Sequence, residues 1–133
     1  MQRTLAVILL GLCICTGCSD SGAPLLFVLP DGFKGAIEIV KDPKNGLAVR
    51  EDAGRFTYVI PSDGRLRVKS LTPFSRWHKE SAAFQSGGVL QTGTDENVPE
   101  DNIALRSLGT LVSNDVTTVR YCVGTKKDQD ALR

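Results

Sequence analysis

Beyond position 24, no apolar stretch of this chain keeps a 3.6-residue period over a normal helix length. Apolar residues come instead in short runs, with turn formers roughly every eight to twelve residues. That pattern excludes a helical bundle and leaves strands, whose side chains alternate between two faces. The clearest unit is Gly54 to Ser70. Phe56, Tyr58 and Ile60 alternate with Arg55, Thr57 and Val59; Pro61-Ser62-Asp63-Gly64 follows; Leu66 and Val68 then alternate with Arg65, Arg67 and Lys69. Pro at the start of the turn and Gly at its close suit a type I turn completed by a left-handed residue. The segment reads as a β-hairpin. Its core face is Phe56, Tyr58, Ile60, Leu66 and Val68, because Arg65, Arg67 and Lys69 cannot be buried unpaired. Tyr58 has a polar tip, so its hydroxyl is expected to reach a partner or the rim of the core.

The rest of the chain follows the same rule. Leu25–Leu29 is a continuous apolar run closed by Pro30-Asp31-Gly32, as a buried strand would be. Gly35 to Val40 is strand-like, Asp42 to Gly46 is a turn, and Leu47 to Arg50 is a short edge strand. Thr72 to Lys79 is a loop holding Pro73, Trp77 and the single histidine, His78. Ala82 to Gln85 and Val89 to Thr92 are short strands around Gly87-Gly88, and Thr94 to Asp101 is an acidic loop. Ile103 to Val112 and Val116 to Val123 form a second hairpin around Ser113-Asn114-Asp115. The tail from Lys126 to Arg133 forms one helical turn or frays. No internal repeat is visible. A length of 133 residues suits one domain. The expected fold class is all-β: a small single-domain β-sandwich over residues 25–125.

The amino terminus has a different character. Met1-Gln2-Arg3 precedes an apolar run from Leu5 to Cys15. That run is too short for a membrane span, which needs about 20 apolar residues, but it suits a secretory signal. It ends in Cys15-Thr16-Gly17-Cys18. This resembles the lipobox of bacterial lipoproteins, with small residues at the two positions before an obligatory Cys. The resemblance implies diacylglyceryl transfer to the Cys18 sulfur, cleavage between Gly17 and Cys18, and acylation (palmitate) of the new amino terminus. The thiolate is the nucleophile able to form the thioether. The alternative is a plain signal peptide cut near Ala23. On the lipobox reading the chain divides into a signal peptide (1–17), a tether (18–24), the β-domain (25–125) and a tail (126–133). The partner is the membrane, reached through the anchor on Cys18, and two acyl chains suffice to hold it. In a cell with two membranes, Ser19 after the Cys favours outer-membrane sorting, by resemblance to lipoprotein sorting signals.

This accounts for the four cysteines. Cys13 and Cys15 leave with the signal, Cys18 is capped, and Cys122 remains as a small buried hydrophobe. Charge is balanced, with 16 Lys+Arg against 15 Asp+Glu, and loss of Arg3 makes the two equal. No nucleic-acid partner is expected, since displacing phosphate counterions needs a basic face.

Three blocks carry a further resemblance: Val28-Leu29-Pro30-Asp31-Gly32-Phe33-Lys34-Gly35 with Ile37-Glu38-Ile39, then Gly54 to Pro61 with Gly64, and Tyr121-Cys122-Val123-Gly124-Thr125-Lys126. Together they are similar to a family of small bacterial lipoproteins, a β-sandwich domain without an assigned activity. The Gly54 to Val68 unit also resembles transthyretin-like sandwiches, and the expected topology is transthyretin-like or immunoglobulin-like. Such domains usually serve as binding or scaffolding modules, which is analogy at the level of fold.

Candidate chemistry is sparse. A hydrolase triad needs a Ser or Cys beside a His, and His78, between Trp77 and Lys79, reads as a surface residue. No Gly-x-Ser-x-Gly elbow occurs. The 95–101 loop offers Asp95, Glu96, Asn97, Glu100 and Asp101 to calcium, but lacks the EF-hand order and reads as solvated. Trp77, Phe74 and Phe84 would suit a sugar or peptide platform if exposed, or core packing if not. No catalytic residue, metal site or cofactor is expected. The reading is a membrane-anchored, non-catalytic envelope lipoprotein, with an envelope protein or a glycan as the ligand class. The alternative is an enzyme or ligand-processing protein for carbohydrate or peptide, with its site in the 72–102 region.

Overall fold

The structure is a computed structural model that describes residues 22–93 and 98–133. Its described residues are all-β apart from one short helix and one 3-10 turn. The strands are β1 (Leu25–Leu29), β2 (Gly35–Lys41), β3 (Phe56–Val59), β4 (Arg65–Val68), β5 (Glu80–Phe84), β6 (Val89–Leu90), β7 (Ala104–Ser113) and β8 (Val116–Gly124), followed by α1 (Lys126–Ala131). They form two four-stranded sheets, in the orders β3-β1-β5-β6 and β4-β2-β8-β7. One apolar core joins the sheets. It includes Leu25, Phe27, Leu29 and Tyr58 from the first sheet and Ile37, Ile39, Val68 and Tyr121 from the second.

The expected hairpin over 56–68 is not one. β3 pairs with β1 in the first sheet, and β4 pairs with β2 in the second, both in parallel. The turn itself is as the residues require: Gly64 N–H donates to the Pro61 carbonyl at 2.9 Å, and Gly64 has φ +76. Alternation also holds, since Tyr58, Ile60 and Val68 are buried, Phe56 and Leu66 half-buried, and Arg65, Arg67 and Lys69 exposed. What differs is the partner. The segment is an arch that steps from sheet to sheet, so its two strands meet through side chains rather than through backbone hydrogen bonds.

β1 and β2 form a second arch stacked on it. The same sheet order makes β1 parallel to β3 and β2 parallel to β4. The turn between β1 and β2 again has a Pro carbonyl accepting from the third residue on (Phe33 N–H to Pro30, 3.0 Å) and a left-handed Gly32 at φ +70. The pairing Leu25 with Phe56, Phe27 with Tyr58 and Val28 with Val59 lays Leu-Leu-Phe-Val-Leu-Pro over Phe-Thr-Tyr-Val-Ile-Pro. A degenerate repeat is therefore present, where none was expected from the sequence. Phe27 stacks on Tyr58 with ring centroids 5.8 Å apart. Gly64 seals the stack: its carbonyl accepts from Glu38 N–H at 2.8 Å, and a Cβ there would collide with the Ala36 carbonyl.

β7 and β8 do form the expected hairpin. Its turn is two residues, Asn114 and Asp115, at φ 49 and 61. Two left-handed residues match the twist of antiparallel strands. β5 and β6 pair as the sequence indicates, with Ala82 opposite Leu90; β5 begins at Glu80, two residues before the expected start. Leu47 to Arg50 makes only a bridge, from Leu47 to Val68. Three of the pairings are parallel (β1 with β3, β1 with β5, β2 with β4), whereas immunoglobulin sheets are antiparallel.

The tail is a docked helix rather than a frayed end. Thr125 and Asp128 form a reciprocal capping box. Gln129 is buried, and its Nε2 donates to the Ser107 carbonyl at 2.7 Å.

Candidate functional site

β1, β3 and β5 run parallel, so they start at one end of the molecule, with Leu25, Phe56 and Glu80 side by side. The tether enters there. Gly22 N–H donates to the Trp77 carbonyl at 2.8 Å, Leu25 N–H to Lys79 at 2.9 Å, and Phe56 N–H to Pro24 at 3.0 Å. The chain before β1 is thus fastened to the loop before β5.

That loop is built to fold inward. Pro73 sits in a 3-10 turn over Thr72–Phe74, where its fixed φ and missing N–H are no penalty. Thr72 and Ser70 share a hydroxyl–hydroxyl bond of 2.8 Å, and Ser75 Oγ donates to the Thr72 carbonyl at 2.7 Å. Phe74 is thereby placed over Tyr58, 5.2 Å between centroids, and against the edge of His78 at 5.9 Å. Phe74 and Phe84 pack on the core, while Trp77 is 69% exposed. Of the two readings of these rings, core packing holds for Phe74 and Phe84, and no three-ring platform is assembled.

His78 is not the surface residue the sequence indicates. Its side chain is 11% exposed and that of Glu80 13%. Residues two apart on an extended run share a face, and here His78 and Glu80 both turn inward. His78 Nδ1 lies 2.7 Å from the Arg76 carbonyl. A carbonyl only accepts, so Nδ1 carries a hydrogen. Nε2 lies 2.9 Å from Glu80 Oε1, which also accepts from the Tyr121 hydroxyl at 2.6 Å. Both ring nitrogens are engaged, and one carboxylate oxygen ties the loop to β8. Burial, reinforced by the Glu80 charge, pushes the Tyr121 phenol well above its ordinary value, so it stays a donor. Tyr58, beside this chain of bonds, is fully buried, and burial pushes its phenol up to about 12. Contrary to the expectation for its polar tip, the Tyr58 hydroxyl has no hydrogen-bond partner among the described residues.

A cleft of about 330 Å³ lies on the other side of Glu80, lined also by Ser107, Gln129, Arg106 and Arg133. His78 is not among its lining residues. Arg106, which nothing in the sequence singled out, is buried, and among the described residues its hydrogen bonds go to backbone: Nε to the Gly124 carbonyl at 3.1 Å, and one terminal nitrogen to Pro99 and Asn102 at 3.2 and 3.1 Å. It pins the 98–102 segment to the end of β8.

Gly17 and Cys18, the cleavage and lipidation residues, lie outside the described residues, as do Asp95, Glu96 and Asn97 of the acidic loop. Glu100 and Asp101 are exposed. Among the described residues no group of three or more His, Cys, Asp and Glu gathers to hold a metal ion. Cys122 is buried as expected; burial raises its thiol, which disfavours the reactive thiolate. Among the described residues no helix is long and apolar enough to cross a membrane.

Fold and site together define an all-β domain of two sheets whose tether is zipped to an aromatic-closed loop. No family model matches the sequence, and no curated protein matches it. A solved structure, "Putative Lipoprotein from Bacillus anthracis", is similar at a TM-score of 0.47 and 10% identity, covering 78% of this chain and 71% of that one.

Proposed function

We propose that this protein is an envelope lipoprotein, held to a bacterial membrane by acyl chains on Cys18, and that its two-sheet sandwich is a non-catalytic binding or structural module for an envelope protein or glycan. In a cell with two membranes the outer one is its place. The anchoring half rests on the short apolar run ending in Thr16-Gly17-Cys18. The non-catalytic half rests on one observation. The single histidine has both nitrogens engaged, by the Arg76 carbonyl and by Glu80. A general base needs a free lone pair aimed at substrate, and this ring serves instead to fasten a loop.

The second reading, an enzyme acting on carbohydrate or peptide from the 72–102 region, draws on Glu80, which holds His78 and also lines the cleft. Ser107 is the hydroxyl side chain lining that cleft, and its Oγ accepts from Gly109 N–H at 3.2 Å.

Intact-mass analysis of protein extracted from membranes tests the anchor. The expected product begins at an acylated Cys18, and a soluble product beginning near Ala23 refutes it. A screen of glycosidase and peptidase substrates tests the rest. Turnover that disappears in His78→Ala, with the fold retained, would favour the enzyme.

A further inference from the structure

The outer face of the first sheet carries an apolar row across all four strands. Val28 pairs with Val59 on one side and Ala83 on the other, and Ala83 pairs with Val89. Paired residues point to the same face, and their chain neighbours Phe27, Tyr58, Ala82 and Leu90 are the ones buried in the core. Val59 is 53% and Val89 86% exposed. Toward the strand starts, the next outward row is Leu26, Thr57 and Ser81. Beyond it come the exposed residues Arg55, Arg76, Trp77 and Lys79. Two exposed carboxylates border these cations: Glu51 lines a groove with Arg76, and Asp52 is bridged to Arg55 through backbone.

A continuous apolar row, exposed at Val59 and Val89 and half-buried at Val28 and Ala83, marks a contact surface, and the tether decides what meets it. Gly22 is bonded to the Trp77 carbonyl, and the modified residue Cys18 lies just upstream. Between Cys18 and Gly22 the chain reaches at most about 14 Å even when fully extended. An acyl anchor therefore keeps this end of the first sheet at the bilayer surface. Trp is favoured at the level of the headgroups, and Arg and Lys pair with lipid phosphate. Net charge plays no part, since Lys+Arg and Asp+Glu balance once Arg3 is removed; the attraction is local to this face.

We propose that the outer face of the first sheet lies against the membrane, with Trp77 in the interface, Arg55, Arg76 and Lys79 on headgroup phosphates, and the Val59–Val28–Ala83–Val89 row turned to the lipid. The proposal rests on acylation at Cys18. Its test uses the acylated full-length protein in vesicles of phosphatidylglycerol and brominated phosphatidylcholine. Trp77 is the single tryptophan, so its fluorescence reports one site. A Val89→Cys variant carrying a fluorescent label reports the far end of the row, because Cys122 is buried. The expected result is flotation with the vesicles, a blue shift of Trp77 with loss of most of its intensity to bromine, and bromine quenching of the label at position 89. Arg76→Glu with Lys79→Glu should still float but lose much of the Trp77 quenching; unchanged quenching would overturn the assignment of those two cations to the phosphates. Flotation with Trp77 still in water overturns the proposal and leaves the anchor standing. Quenching of Trp77 but not of position 89 overturns the face-down arrangement. A label shielded from both bromine and aqueous iodide would mean that protein covers the row, which also overturns it. Failure of the wild type to float removes the anchor and the proposal together.

Discussion

Gly64→Ala separates an arch from a hairpin. Gly32 and Gly64 are the left-handed residues of the two arch turns, at φ +70 and +76, two residues after Pro30 and three after Pro61. An alanine in the left-handed region costs about 1–2 kcal/mol at either site. The gain from a stiffer unfolded chain, about 0.4–1 kcal/mol, is common to both and cancels in the comparison. The surroundings differ. A Cβ at Gly32 meets nothing within 4 Å, whereas one at Gly64 collides with the Ala36 carbonyl of β2. Backbone cannot rotate away, so the arch must shift and strain the bond from Glu38 N–H to the Gly64 carbonyl, worth about 1 kcal/mol. Gly64→Ala should therefore lose on the order of 2 kcal/mol more than Gly32→Ala, out of a stability of roughly 5–15 kcal/mol. With a urea slope of about 1–3 kcal/mol per molar, the midpoints should differ by roughly 1 M. In a hairpin over 56–68, Gly64 would sit at an open turn and the two variants would melt together. Equal midpoints would refute the stacked arches.

Tyr58→Phe removes a buried hydroxyl that has no partner among the described residues, so urea melts should show equal or higher stability, by up to about 1 kcal/mol. Since burial raises the Tyr58 phenol to about 12, its contribution is whole below the unfolded value of about 10 and is lost as pH climbs toward the folded value; tyrosinate absorbance and loss of structure should rise together above that point. Arg106→Met strips three carbonyls of a charged donor and should lower stability by about 3 kcal/mol, with hydrogen exchange rising first over 98–102. Asp128 is held below the ordinary carboxylate range by the Thr125 N–H and hydroxyl. Its stabilising effect is therefore present above that range and fades as pH falls through the lowered value; exchange in α1 should speed up in acid, and Asp128→Asn should weaken that acid response.

Much of this fold was legible in the sequence, and the misreadings share one cause. Strand positions, inward faces and turns follow from local alternation and from Pro and Gly, and those held for all eight strands, β3 and β4 included. Pairing is not local. Ile60-Pro61-Ser62-Asp63-Gly64 prescribes a reversal, but a reversal into the same sheet and a step into the facing one look alike from inside the segment. The arbiter is β1, which lies beside β3 and takes its hydrogen-bonding edge. One signal was there: Leu-x-Phe-Val-Leu-Pro before Asp-Gly recurs, one residue longer at the turn, as Phe-x-Tyr-Val-Ile-Pro before Ser-Asp-Gly, and two alike arches stack more readily than they pair as unlike hairpins. The tail helix also had its signal, since Thr125 and Asp128 stand at capping-box spacing.

The site was less legible because its parts come from distant segments. His78 and Glu80 are two apart, which on an extended chain is enough to share a face, but Lys79 between them and Trp77 before them give the run the look of a solvated loop. What draws it inward is Tyr121, far along the chain, whose hydroxyl reaches Glu80, together with the Phe74 ring packed over Tyr58. A polar pair is tolerated beneath a loop only when its bonds are completed, and here the completing groups are the Arg76 carbonyl and the Tyr121 phenol. The same inward pull leaves Trp77 outside, next to the bonded tether. Fastening the loop and presenting Trp77 are thus one structural event: Glu80→Gln, by weakening the His78 clasp, should loosen the tether's contact with Trp77 as well as the loop.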